Sequence, residues 1–440
     1  MAPEAQRAAE VFTVPFREGF LVYAPLAGRV LYANAPVVAS IRNYLDTGDP
    51  ESVRPEIRER LGGLSWLEPR ELPMGRPPDA PYQPAAVTLF LTNGCNLRCL
   101  YCYASAGENT IRSLPEHIGR AAIDLASEGA LAKEIELAVG FHGGGEPTLQ
   151  WDLLRSLVAH ARESRAAKTF GLRLGLATNG TVDVRRARWI AENLDTVTLS
   201  LDGPPDIQDR MRPALGGGPS SAKVARFAQV LKEHGTPVVV RCTVTRHNVE
   251  KLAGLARYFH ELTGARIVHF EPVFSSGRAE NFDNLLPEPP IFVENFARAL
   301  DVASEIGIRI RHSVSRLYAP YVSFCGCAAD PLNVTPDGDL TACFEVCDRA
   351  DEQAGVFVFG RFDETEAHFV VDRERLAVLR RLTIHERPMC SSCIAKWNCS
   401  GDCPAKWNQG RPDSVRCRLN RLLTIELLGR TLDARTCMSV

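Results

Sequence analysis

The sequence has no long apolar run, no basic opening and no excess of charge of either sign. No uninterrupted apolar stretch approaches the roughly 18 residues of a membrane-crossing helix, so no membrane partner is expected. The opening MAPEAQRAAEVF lacks a basic start followed by an apolar core, which argues against a secretory signal and for a cytoplasmic protein. With 51 Lys and Arg against 53 Asp and Glu, the net charge of −2 gives no electrostatic reason to expect nucleic acid. Low-complexity tracts are also missing. What remains is an ordinary globular composition over 440 residues, 45% hydrophobic and 24% charged, long enough for two or three domains.

Cysteine is abundant instead. Fourteen cysteines in a cytoplasmic chain are not expected to form disulfides, because that compartment keeps thiols reduced. Three lie in CNLRCLYC (95–102), nine lie from Cys325 to Cys417, and only Cys242 and Cys437 stand apart. Short fixed gaps of this kind suit metal or iron–sulfur ligation. Cys242, inside the apolar PVVVRCTVT, reads as a buried small hydrophobe, and Cys437 as incidental.

Along the chain, EGFLVYAP and GRVLYAN read as a hairpin, followed by two helical segments that each end in glycine (1–70). RELPMGRPPDAPYQP reads as a linker (71–85). From 86 to 314 apolar strands alternate with amphipathic helices: VTLFLT, IELAVGFHG, LRLGLATNG, TVTLSLDG, PVVVRCTVT and RIVHFEPV are the strand candidates. This texture predicts an α/β fold with parallel strands covered on both faces, better suited to a partial TIM-like barrel of six units than to a flat sheet. From 315 to 440 the pattern breaks into short segments, glycines and cysteines, a region expected to depend on metal for its stability.

CNLRCLYC directly follows the first barrel strand, where loops at strand carboxyl ends carry chemistry. Read without a family, the spacing allows structural zinc or an iron–sulfur site. As a triple in this position it resembles the cluster loop of radical S-adenosylmethionine (SAM) enzymes. That resemblance implies that Cys95, Cys99 and Cys102 hold three irons of a 4Fe–4S cluster while SAM occupies the fourth. Gly143, Gly144, Gly145 and Glu146 of FHGGGEPTL match the family segment that holds the methionyl amine. Asn179 of LATNGT, with Ser200 and Asp202 of LSLDGP, falls where the family contacts the SAM carboxylate and ribose. Arg212 of RMRP is a candidate carboxylate partner, and Tyr101 is expected near the adenine. Each has an ordinary structural alternative: a tight turn, a surface arginine, loop packing.

The C-terminal cysteines resemble the SPASM extension of radical SAM peptide and protein maturases. The match runs from Cys325 and Cys327 through Gly338 and Cys343 to the run at Cys390, Cys393, Cys399 and Cys403, and ends at Cys417. The resemblance implies two auxiliary 4Fe–4S clusters, three in all. Cys390, Cys393, Cys399 and Cys417 would bind the outer one. Cys343, Cys403, Cys327 and Cys325 would bind the inner one, with Cys347 as a substitute ligand. Two zinc sites are the alternative for such thiols. Glu271, next to His269 in HFEPV, and Glu345, beside the inner ligands, are candidate acid/base groups.

Residues 11–70 resemble the winged-helix peptide-recognition domain of maturases that act on ribosomally made peptides, which implies a leader peptide added as a strand to the hairpin edge. The combined expectation is a radical SAM/SPASM maturase that abstracts a hydrogen atom from a precursor peptide, giving a cross-link (carbon–carbon, carbon–oxygen or thioether) or an epimerisation. It would receive electrons from a donor such as flavodoxin or ferredoxin. The alternatives are a sulfatase-type maturase forming formylglycine and a metal-stabilised peptide-binding adaptor without turnover.

Overall fold

The computed structural model describes residues 7–282, 285–317, 319–409 and 414–437. Residues 1–6, part of the opening read for a signal, and the Cys437 side chain lie outside the described residues. The chain divides into two units: Met1–Gly75 with Ser313–Cys325 and Leu382–Val440, and Arg76–His312 with Gly326–Arg381.

In the first unit, β1 (Arg7–Ala8) pairs antiparallel with β5 (Arg70–Glu71), while β2 (Phe12–Phe16), β3 (Gly19–Ala24) and β4 (Arg29–Ala33) form an antiparallel meander. The hairpin is the expected one, and β2 adds a third strand. Residues of β3 alternate between two cores, as a period of two requires. Val22 and Ala24 pack with Val38, Ile41 and Tyr44 of the helix Ala35–Thr47 and Ile57 of the helix Pro55–Arg60. Leu21 and Tyr23 pack with Ile384, Ile394, Trp397 and Leu428. The first helix begins where the Asn34 side chain accepts from Val37 N at 3.1 Å and ends at Gly48 in the left-handed region. The sheet is therefore covered on both faces, one of them by the cysteine-rich segments, and the long helix Val415–Cys437 belongs to this unit.

The second unit is built on seven parallel strands: β6 (Ala86–Leu89), β7 (Leu137–Phe141), β8 (Leu172–Thr178), β9 (Thr196–Ser200), β10 (Val238–Val244), β11 (Ile267–Pro272) and β12 (Arg309–Arg311). Six are the expected strands, joined by crossover helices such as Glu116–Lys133, Trp151–Glu163 and Leu252–Thr263. Beyond β6 the sheet continues through β13 (Asn333–Val334), β14 (Asp339–Thr341), β15 (Val358–Asp363) and β16 (His368–Val371), giving eleven strands. Alternate residues such as Val139, Leu176, Val240 and Phe270 are buried on the helix-covered face. Cys242 is fully buried there, as expected.

Candidate metal centres

The cluster-loop cysteines follow β6 at its carboxyl end, and the loop is held by its own backbone. Arg98 N donates to Pro213 O at 2.8 Å and Leu100 N to Met211 O at 3.0 Å, tying the loop to the segment after the fourth barrel strand. Arg98 reaches back to the carbonyls of Cys95 (2.8 Å) and Gly107 (3.0 Å). Buried Arg278 donates from Nε to Cys99 O at 2.9 Å, and its backbone N to Cys102 O at 3.0 Å. Arg98 lies inside the CNLRCLYC loop and Arg278 outside any motif, and sequence reasoning assigned a role to neither. Gly277 precedes Arg278 with φ +54°, and a Cβ there would meet Cys102 O at 2.4 Å. Glycine is required at that approach.

The glycine-rich segment after β7 lies against the loop. A Cβ on Gly145 would fall 1.9 Å from Gly94 O. Glu146 is buried, and its carboxylate accepts from Thr148 N (3.2 Å), Thr148 Oγ1 (2.7 Å), Thr178 Oγ1 (2.7 Å) and Asn179 N (2.8 Å). Glu146 thus ties the second strand end to the third, and burial raises its pKa. Asn179 Nδ2 donates to Asn96 Oδ1 at 2.9 Å and approaches Cys95 Sγ at 3.8 Å, so two strand ends converge on the first cysteine.

Asp202, fully buried, is the centre of a second network. Arg212 donates to it from Nε (2.9 Å) and Nη2 (3.1 Å), Thr243 N donates at 3.0 Å, and the Tyr101 hydroxyl donates as well. The Arg212 guanidinium lies 5.2 Å from the Tyr101 ring centroid. Arg212 is therefore a buried partner of Asp202. Ser200 closes β9, partly exposed on the face opposite the buried Val197 and Leu199.

Burial pushes the Cys95 thiol up to about 11 and the Cys99 thiol up to about 12. Metal binding must displace such protons. Among the described residues no three or more His, Cys, Asp or Glu are placed to hold a single metal ion. A cubane gives each thiolate its own iron, so its ligands stand apart. Three thiols on one pinned loop, bordered by a glycine segment of close approach, fit that group.

Near the same loop, burial pushes the Cys347 thiol up to about 12, while a hydrogen bond to the Gly144 backbone opposes the shift. The charges of Cys102 and Glu345 also act on Cys347. Phe344, after Cys343, stacks on Phe90 (centroids 5.8 Å) and meets His142 at 5.0 Å. Burial, reinforced by Arg241, lowers His142 to about 4. Glu271 is buried with His269 Nε2 at 2.9 Å and His312 Nε2 at 3.7 Å.

In the first unit, Cys390, Cys393, Cys399 and Cys417 line one cavity, with Arg387, Lys406, Trp407 and Asn420 among its other walls. Asn420 Nδ2 donates to Cys399 Sγ at 3.2 Å. Burial raises the Cys390, Cys393 and Cys399 thiols. Four thiols around one cavity fit a fully ligated cluster. Of the remaining cysteines, Cys325 and Cys403 belong to this unit, and Cys327 and Cys343 to the other.

Residues 89–259 match the family model described as Radical SAM superfamily, so the chain carries a radical SAM domain. Its relatives include peptide maturases: the mycofactocin maturase MftC of Mycolicibacterium smegmatis is 29% identical over 352 residues, covering 75% of this chain and 80% of that one. Fe-coproporphyrin III synthase of Methanosarcina barkeri is 31% identical over 219 residues, and the chain spans only 49% of its length, with 49% of this chain matched. Native anSMEcpe with bound AdoMet and Cp18Cys peptide superposes with a TM-score of 0.63 at 19% identity, covering 80% of this chain and 99% of that one. Streptococcus suis SuiB bound to precursor peptide SuiA does so with 0.54 at 12% identity, covering 94% and 99%. These structures share the fold. No helix among the described residues is long and apolar enough to cross a membrane.

Proposed function

We propose that this radical SAM enzyme is a SPASM-type maturase that abstracts a hydrogen atom from a ribosomally synthesised precursor peptide, leaving a cross-link or an epimerised residue. The observation that carries the reading is the three-thiol loop, pinned by Arg98 and Arg278 and bordered by the Gly143–Gly144–Gly145–Glu146 segment. When bound there, a 4Fe–4S cluster with SAM supplies a 5′-deoxyadenosyl radical. Cys95, Cys99 and Cys102 hold the cluster. Gly143 to Gly145 let the backbone approach the methionyl end, and Glu146 fixes the position of Asn179 beside it. Asp202 with Arg212 and Tyr101 fixes the edge on which Ser200 meets the nucleoside.

Cys390, Cys393, Cys399 and Cys417 hold an outer auxiliary cluster, and Cys343, Cys403 and Cys327 an inner one completed by Cys325 or Cys347. That makes three clusters in all. Residues 1–70 form the recognition domain, whose residues 11–70 bind the leader by strand addition; 71–85 link, 86–314 form the radical SAM barrel and 315–440 the SPASM region. A cytoplasmic location with a flavodoxin or ferredoxin donor suits clusters that need reducing conditions. Glu271 and Glu345 are the acid/base candidates. MftC is a named maturase, and SuiB and anSMEcpe are solved with bound peptides, which supports a peptide substrate. In the sulfatase-type family an aspartate follows the inner-cluster cysteine; here Phe344 occupies that place and stacks on Phe90, which favours the precursor-peptide reading. Co-expression with the small peptides encoded beside the gene, followed by mass analysis, tests it. Loss of two hydrogens, or deuterium uptake without a mass change in normal water, is the expected result. An unmodified set of peptides under conditions where SAM is cleaved would refute it.

A further inference from the structure

On the face of the parallel strands opposite their buried residues, charge is uneven. On β10, β11 and β12 the residues Val240, Cys242, Val268, Phe270 and Ile310 are buried, and Phe270 meets Phe259 of the helix Leu252–Thr263. Arg241, His269 and Arg311 alternate with them and therefore point to the opposite face. Arg241 and Arg311 are exposed, and His269 is partly so.

Register places these three side by side: Arg241 pairs with His269, and His269 with Arg311. On the other side Arg241 is in register with Ser200, the residue at the SAM edge. Two strand spacings separate the arginines, about 9.6 Å between backbones, so both long side chains can converge on one group between them. The charge of Arg241 is felt at His142, which follows β7, and at Tyr103 of the cluster loop. This row therefore faces the same interior as the reacting centre.

Two arginines on one face are unfavourable unless an anion compensates them. Among the described residues neither Arg241 nor Arg311 forms an ion pair. Of the nearby acids, Glu271 is held by His269 at 2.9 Å and His312 at 3.7 Å, and Glu345 lies by Tyr103 of the cluster loop. On β7 and β8 the same face is small at Gly140, Gly175 and Ala177, and its one cation, Arg173, is paired with Glu136.

We propose that the substrate segment entering the barrel carries a carboxylate, an acidic side chain or the C-terminal carboxylate, seated between Arg241 and Arg311. This deepens the peptide-maturase reading and rests on it. The test uses reconstituted full-length protein with SAM present and three fluorescently tagged probes: Gly-Glu-Gly amide, Gly-Gln-Gly amide and Gly-Gln-Gly free acid. One acidic probe should bind at least about tenfold more tightly than the neutral one, and the tighter of the two identifies the source of the carboxylate. Arg241→Met with Arg311→Met should abolish that preference, and Arg241→Lys with Arg311→Lys should restore it. Equal binding of all three probes, or a preference that survives the double Met change, would overturn the proposal. Dithionite-driven 5′-deoxyadenosine formation by the wild-type protein, measured without peptide, separately tests the radical SAM reading.

Discussion

Replacing Arg212 by Met removes two of the four donors that satisfy Asp202, those at 2.9 and 3.1 Å. Asp202 is fully buried, so no water replaces them. The Tyr101 hydroxyl and Thr243 N remain, leaving a buried carboxylate without a countercharge. Breaking one side of such a pair costs about 3–5 kcal/mol, far more than the ~0.2–1 kcal/mol of an exposed pair. Arg212 also begins the stretch whose Pro213 carbonyl accepts from Arg98 N at 2.8 Å, so the cluster loop should loosen with it. Anaerobic urea unfolding of reconstituted protein measures the first effect, and hydrogen exchange at the Arg98 and Leu100 amides the second. Asp202→Asn combined with Arg212→Met should be less destabilised than Arg212→Met alone, because the buried charge has gone. A loss below about 1 kcal/mol for Arg212→Met, with unchanged exchange in the loop, would refute the buried-pair argument.

Gly145→Ala places a Cβ 1.9 Å from Gly94 O and should abolish 5′-deoxyadenosine formation, whereas Gly218→Ala, with nothing within 4 Å, should be silent; a parallel SAM-cleavage assay compares them. Asn420→Leu removes the 3.2 Å bond to Cys399 Sγ and should lower the potential of the proposed outer auxiliary cluster while leaving the SAM cluster unchanged, as read by redox titration with electron paramagnetic resonance. His142 is lowered to about 4 in the folded protein, so below its ordinary value of 6.5 the unfolded chain takes up a proton that the folded one refuses. Stability from this residue should therefore fall as pH drops from 6.5 to 4, by up to about 3 kcal/mol, and His142→Gln should flatten that part of the urea-midpoint profile.

The six long barrel strands were legible because each is a nearly continuous apolar run, the pattern of a strand covered on both sides. β12 was not, since two of its three residues are arginines and only Ile310 reaches the core. The helix Val415–Cys437 was equally hidden, because its buried Leu419, Leu423 and Leu428 are interspersed with arginines. Thiol spacing announced the cluster loop and the four cysteines that line the outer cavity. The supports of that loop left no trace in the sequence: an arginine that donates to backbone carbonyls, as Arg278 does, has no required neighbour. Arg212 was legible as a carboxylate partner, and among the described residues the carboxylate it meets is Asp202. Burial decides between such roles, and burial is a property of the fold.

The most direct measurement is SAM cleavage by anaerobically reconstituted protein in which Cys95, Cys99 and Cys102 are all alanine. The account predicts no 5′-deoxyadenosine above background, with the iron retained at the C-terminal thiols. Formation of 5′-deoxyadenosine at the wild-type rate would contradict it.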